Sequence, residues 1–318
     1  MEKLYPLELS CVLKTPVWSG TRLGSEWGKG DGSPIGESWE LCVRRDECNT
    51  VKNGCFAGRS LAELIRECGR QITGADFGAD DFPLLIKLID AASDLSVQVH
   101  PDDEYSARVE NDRGKTEMWC VLSADEGARM AIGLKDGVSK DELCSALEGG
   151  RAEDVLNYVP VSEGDVYFIP AGLPHAIGKG ILVAEIQQNC DLTYRIYDYG
   201  RLGIDGRPRE LHVKKALDVI KSFEAEEIAA QRFSCANDRT DSLLAHCEYF
   251  RAELVSVDNE KRIDTESRML HLLVISGEGA IVCGTEKYSL KKGSSYLLPA
   301  TLGEMKLVGE LRAIVSST

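Results

Sequence analysis

Nowhere in this chain does an apolar run approach the roughly 20 residues that a membrane-spanning helix needs. Basic residues are short as well: 37 lysines and arginines face 52 aspartates and glutamates, a net charge of −15. No basic stripe gathers against that excess, which argues against nucleic acid or an anionic membrane as partner. It leaves room for a small anionic ligand, because a few cationic side chains converging in one pocket can hold a phosphate whatever the global charge. The start, Met1-Glu-Lys-Leu-Tyr-Pro6, lacks the basic residues and apolar core of a secretion signal, so a cytoplasmic protein is expected. Cysteine is plentiful at 11, but the number is odd and no Cys-x-x-Cys pair occurs. Scattered thiols of this kind fit reduced side chains, most of them packing as small buried hydrophobes. Histidine is scarce, five in 318 residues, and two of the five lie in informative surroundings.

The first is Gly164-Asp-Val-Tyr-Phe-Ile-Pro170-Ala-Gly172-Leu-Pro-His175. A β-branched and aromatic run climbs to a Pro and a Gly, reads as a strand entering a tight turn, and delivers an imidazole at once. The second is Leu95-Ser-Val-Gln-Val-His100-Pro-Asp-Asp, whose alternation puts Gln98 and His100 on one face. A third segment, Gly114-Lys-Thr-Glu117-Met-Trp-Cys, offers a carboxylate at the mouth of another strand. Two imidazoles, a carboxylate and an amide oxygen on strands of one sheet make a divalent-metal site. Zinc suits that donor set, with manganese, iron, cobalt or nickel as alternatives.

Around these segments the chain alternates between short strands and helices. Residues 1–60 read as short strands and turns. Ser60-Leu-Ala-Glu63 opens a helix with a capping box, and Ser139-Lys-Asp-Glu142 opens another. Ala152-Glu-Asp is expected to start a further helix, Leu211 to Ile220 a last one, and Asp102 to cap a helix after Pro101. Phe82 to Asp90 is an apolar strand with Lys87 embedded in it; position alone reads Lys87 as an edge lysine reaching outward. Residues 222–240 form a polar connection. The tail from 243 reads as β, and its Gly293-to-Pro299 spacing repeats that of Gly164 to Pro170 without a following histidine. The expectation is a mainly β protein of two jelly-roll barrels with short helical insertions, only the first binding metal. Residues 1–222 would form the catalytic domain, and 223–318 the connection and a metal-free second β domain.

The Gly164-to-His175 spacing resembles the second signature of the cupin superfamily. Taken with Gln98-Val-His100-Pro-Asp-Asp, Gly-Lys115-Thr-Glu117-Met-Trp and Asp191-Leu-Thr-Tyr-Arg195-Ile-Tyr-Asp-Tyr-Gly-Arg201, the chain resembles the type I mannose-6-phosphate isomerase family in its shorter bacterial form. The resemblance implies one zinc ion per chain, held by Gln98, His100, Glu117 and His175. It implies Arg195 beside the sugar, Lys87, Ser96 and Lys115 around the phosphate, and Glu185 and Asp191 in the pocket. Arg201 stands where longer relatives carry a lysine, and Lys179 where the general superfamily motif has asparagine.

Moving a proton between C1 and C2 of a phosphorylated sugar passes through a cis-enediolate, so the site must stabilise an oxyanion and hold a base. Arg195, Glu185 and Lys115 are the expected catalytic groups; Lys87, Ser96, Lys115, Asp191 and Arg201 the expected substrate ligands. Glu185 is the expected base, its pKa raised toward neutrality in a half-dry interior. For Arg195 the expected partner is either Asp198 or an anionic substrate. The rival readings are a cupin oxygenase, which gives Lys115 and Arg195 no task, and a non-catalytic sugar-binding cupin, which would have lost a ligand or Arg195. No feature specifies an oligomeric state.

Overall fold

The computed structural model describes every residue except 1, 222, 224–226, 228–231 and 236–239; much of the connection expected over 222–240 lies outside the described residues. Strand-forming sequence dominates the rest and builds three sheets. The apolar run Leu84–Ala91 is buried along its whole length because it is central. In its seven-stranded sheet the order runs Arg232–Ser234, Asp165–Ile169, Glu117–Ala124, Ile181–Gln188, Leu84–Ala91, Glu37–Leu41, Val12–Lys14. A five-stranded sheet follows the order Tyr194–Tyr197, Val97–Val99, His175–Ala176, Arg129–Leu134, Leu156–Pro160. The two pack across one core that includes Ile89, Trp119, Val121, Ile169 and Val183 from the first and Met130 and Ile132 from the second.

The tail forms the third sheet, Ser295–Leu298, Leu270–Cys283, Glu304–Ser317, Arg251–Asp264 and Ser242–His246 in order, with Glu286–Lys291 paired to Leu270–Cys283. Its first strand comes from the other end of the chain: Leu7–Glu8 pairs with Ser295–Leu298, Leu7 opposite Leu297. The fold is mainly β as expected, but among the described residues the sheets do not close into barrels, since each strand order runs between two edges. In the repeated motif, Pro299 leads into a single 3₁₀ turn, Ala300–Leu302, where the first copy continues to His175.

Helices follow the caps. Ser60 and Glu63 close a capping box on Leu61–Cys68, and Ser139 and Glu142 do so on Lys140–Glu148. The Asp102 side chain accepts from Tyr105 N at 3.0 Å to start Asp103–Val109, and Val213–Val219 is helical. The helix expected at Ala152 is one 3₁₀ turn, after which Leu156–Pro160 joins the sheet. There the open edge of Arg129–Leu134 offers hydrogen bonds that override a weak helical pattern. No cysteine is disulfide-bonded, but only Cys42, Cys120, Cys190 and Cys235 are buried, fewer than expected. Among the described residues no helix is long and apolar enough to cross a membrane.

Candidate metal centre and active site

Strand register brings the distant motifs together. His175 lies opposite Gln98, and Gln98 opposite Arg195, on the five-stranded sheet. On the other sheet Glu185 lies opposite Lys87 and Trp119, and Gln187 opposite Glu117. Backbone bonds tie the loops between them: Gly172 N donates to His100 O at 2.9 Å, and Lys115 N to Pro101 O at 3.0 Å. Gly172 has φ +93°, and an added Cβ would strike Lys221 and Val219 O, so the turn that aims His175 needs glycine.

His100, Glu117 and His175 converge, all buried, with ligand atoms within 4.8 Å of one another. Each imidazole Nδ1 sits 2.8 Å from a backbone carbonyl, Leu192 O for His100 and Leu173 O for His175. A carbonyl can only accept, so each Nδ1 carries the proton and each Nε2 presents a lone pair. Those two Nε2 atoms face each other at 3.1 Å, with Glu117 carboxylate oxygens 3.7 Å from His100 Nε2 and 3.4 Å from His175 Nε2. Two lone pairs and a carboxylate converge at one place. The Lys115 ammonium flanks it, 3.3 Å from His100 Nε2 and 2.9 Å from Glu117. Neither Glu117 oxygen has a well-aligned hydrogen-bond donor, however, and a cation among the three would relieve the remaining repulsion. The residues fit a metal ion. Gln98 Nε2 lies 3.4 Å from His175 Nε2, and a half-turn of its amide would present the oxygen there instead.

Beside this trio lies a buried charged cluster. Lys115 Nζ is 2.9 Å from Glu117 and 3.8 Å from Glu185; Lys87 Nζ is 3.3 Å from Glu185, 3.6 Å from Asp191 and 3.8 Å from Glu37. Two ammoniums thus face four carboxylates, a deficit that a divalent cation would make good. Lys87 is no edge lysine: it is buried in a central strand, its ammonium 5.1 Å from the Trp39 ring centre. Burial lowers the ammonium pKa of Lys87, but Glu185, Glu37 and Asp191 more than reverse that, and the net shift is upward.

The expected rise in the Glu185 pKa is not seen. Burial pushes it up, but Lys115, Lys87 and the Trp119 N–H, 3.0 Å from Oε2, outweigh burial and hold it below the usual carboxylate range. The group pushed up, to about 7, is Glu117, through burial and the nearby Glu185 charge. Both imidazoles are pushed down, burial being the main cause, His175 to about 4.

Arg195 is half-buried, its Nε donating to Ser96 Oγ at 3.2 Å and its Nη1 to Glu210 O at 2.9 Å. Asp198 is not its partner. That carboxylate takes Arg201 Nη2 at 2.6 Å and Arg209 Nε at 2.7 Å, while Arg201 Nη1 also reaches Asp94 O at 2.6 Å. Arg195 therefore has no carboxylate in ion-pair reach among the described residues. Glu37, which accepts from Trp39 Nε1 at 2.6 Å and neighbours Lys87, was not anticipated, nor were Arg209 and His212. Only Arg209 carried a signal, as a third arginine close behind Arg201.

A mainly β protein with imidazoles and a carboxylate gathered between two sheets, and a paired ammonium–carboxylate cluster alongside, belongs to the metal-binding cupin class. Its relatives specify which branch. Residues 7–132 match the phosphomannose isomerase type I catalytic domain, and residues 240–318 the mannose-6-phosphate isomerase cupin domain. The chain is 38% identical over 312 residues to mannose-6-phosphate isomerase ManA of Bacillus subtilis, and 36% identical over 312 residues to mannose-6-phosphate isomerase of Streptococcus mutans, covering 98% of both chains in each case. It superposes on the crystal structure of mannose 6-phosphate isomerase from Bacillus subtilis with a TM-score of 0.88 at 33% identity, covering 98% of this chain and 99% of that one. The chain belongs to the type I mannose-6-phosphate isomerase family, a family of aldose–ketose isomerases.

Proposed function

We propose that this chain interconverts mannose 6-phosphate and fructose 6-phosphate through a cis-enediolate, using one zinc ion held by Gln98, His100, Glu117 and His175. The observation that carries the reading is the pair of imidazole Nε2 lone pairs that face each other at 3.1 Å beside a fully buried carboxylate. When bound, the cation supplies fixed positive charge that stabilises an oxyanion without a proton of its own. Arg195, held by neutral acceptors and lacking a carboxylate partner, adds a second positive charge toward the same oxyanion.

Glu185, kept ionised by Lys115 and Lys87, is in the right state at neutral pH to take the proton from the sugar carbon. Its low pKa makes it a weak base, so stabilisation of the oxyanion must offset the unfavourable transfer. Lys115 lies between Glu117 and Glu185, pairing with both, and is the third catalytic group. Ser96, Lys115, Asp191 and Arg201 complete the substrate-binding set. Lys87, with three carboxylates around it, holds Glu185 and Asp191 from within. On this reading residues 1–222 carry the chemistry, the tail from 223 supports them, and the enzyme works in the cytoplasm, where its thiols stay reduced.

Isomerisation of mannose 6-phosphate, measured before and after chelation, tests the proposal. Activity should vanish on metal removal and return with added zinc. Full turnover by protein shown to be free of metal would sink it.

A further inference from the structure

His212 lies outside every motif that marked the site, yet it touches Arg195 twice. Its backbone N–H donates to Arg195 O at 2.7 Å, and its ring Nδ1 accepts from Arg195 N–H at 3.3 Å. Among the described residues Tyr194–Tyr197 is an edge strand, paired only with Val97–Val99 within its sheet. Both backbone groups of Arg195 therefore turn to the strand's open side, and there a side chain serves in place of the next strand's carbonyl. An acceptor Nδ1 is bare, so the proton of a neutral ring sits on Nε2.

The ring is itself held. It lies against Tyr194, ring centres 6.1 Å apart, and the Tyr194 hydroxyl donates to Glu110 Oε1 at 2.7 Å, which also takes Lys215 Nζ at 2.7 Å. Two residues before His212, the Glu210 carbonyl meets Arg195 Nη1. The segment that orients the guanidinium is thus docked through His212, one bond from its backbone and one from its ring.

We propose that His212 is a positioning residue for Arg195: its ring acceptor fixes the 210–212 segment against the strand and so aims the guanidinium. This rests on the reading of Arg195 as the charge that meets the oxyanion. The same number of bonds separates the backbone from Asn Oδ1 as from His Nδ1, so His212→Asn keeps an acceptor in place, whereas His212→Gln moves it one atom outward.

The test compares His212→Ala, His212→Asn, His212→Gln and Arg195→Ala for kcat, KM for mannose 6-phosphate, bound metal and thermal midpoint. His212→Ala is expected to lower kcat about tenfold or more, since small misplacements of a charge at the reacting centre are costly, with KM, metal and midpoint little changed. His212→Asn should recover most of the rate and His212→Gln should not. An inactive Arg195→Ala beside a wild-type rate in His212→Ala would overturn the proposal alone. So would a joint fall of kcat, KM and midpoint in His212→Ala that asparagine does not rescue, which marks a merely structural role. Wild-type turnover by Arg195→Ala would remove the underlying reading, and this proposal with it.

Discussion

At the residue scale, the proton positions of two imidazoles decide what the centre holds. Because Leu192 O and Leu173 O take the Nδ1 protons, His100 and His175 have only their Nε2 atoms to offer, and both aim at Glu117. Glu117→Gln keeps the shape and removes the charge, so metal content measured after dialysis should fall well below one ion per chain; a full complement would contradict the centre. Trp119 allows a finer probe. Its indole N–H donates to Glu185 Oε2, and its ring stands edge-on to His175 at 5.2 Å. Trp119→Phe keeps a smaller aromatic ring and deletes the donor, a bond to a charged acceptor of about 1.5–3 kcal/mol. Since that bond favours the ionised carboxylate, its loss raises the Glu185 pKa. The acid limb of the kcat–pH profile should then move to higher pH with metal content unchanged; an unmoved profile would exclude Glu185 as the working carboxylate.

At the scale of elements, the segment after Arg195 is pinned by one carboxylate. Asp198 holds Arg201 and Arg209, which flank a small hairpin closed by the Leu202–Pro208 bridge and by Gly203 N donating to Arg207 O at 2.7 Å. The hairpin tip is loosely covered, Ile204 being 81% exposed. Asp198→Ala leaves two guanidiniums without their shared partner. A fully buried break costs roughly 3–5 kcal/mol, and with the two arginine side chains 19% and 20% exposed, about 2 kcal/mol is expected. Tryptic cleavage after Arg201 or Arg209 should accelerate before the rest of the protein unfolds; unchanged cleavage would show that Asp198 does not hold this element.

The same elements show what a sequence displays and what it hides. Alternation around His100 and the Pro-Gly turn before His175 are local signals, and the structure brings those two histidines together with Glu117. The surroundings of Lys87 were hidden, because its three carboxylates arrive from Glu37, Glu185 and Asp191 on separate segments. A pKa depends on that convergence, which is why burial alone predicted the wrong direction for Glu185. The 152–160 stretch misled for a related reason, since a strand edge elsewhere chose its conformation. Carbonyls such as Leu192 O and Glu210 O leave no mark in a sequence at all.

At the scale of the whole molecule, the tail is built into the sheets that precede it rather than appended to them. One apolar cluster joins Leu7, Leu41, Leu84, Ile86 and Leu182 with Phe250, Leu273, Leu297 and Ile314. Polar groups cross the same boundary. Lys29 Nζ sits 2.7 Å from Glu40 and 2.8 Å from Gly293 O, while Ser295 Oγ donates to Glu40 O at 2.9 Å and so accepts from His271 Nε2 at 2.9 Å. His271 is then a neutral ring with a buried, unpartnered Nδ1. Burial first, and the Lys29 charge after it, push its pKa down to about 3 from 6.5. The unfolded chain binds that proton below 6.5 and the folded one does not. This contribution to stability is therefore complete above pH 6.5 and erodes as pH falls toward 3, by about 1.4 kcal/mol per unit. His271→Asn removes the titration. Its unfolding free energy, followed by denaturant titration of the metal-loaded protein from pH 7 to pH 5, should fall less steeply than that of the native sequence by one proton's worth. Parallel slopes would mean that this histidine is charged, or solvated, within the fold.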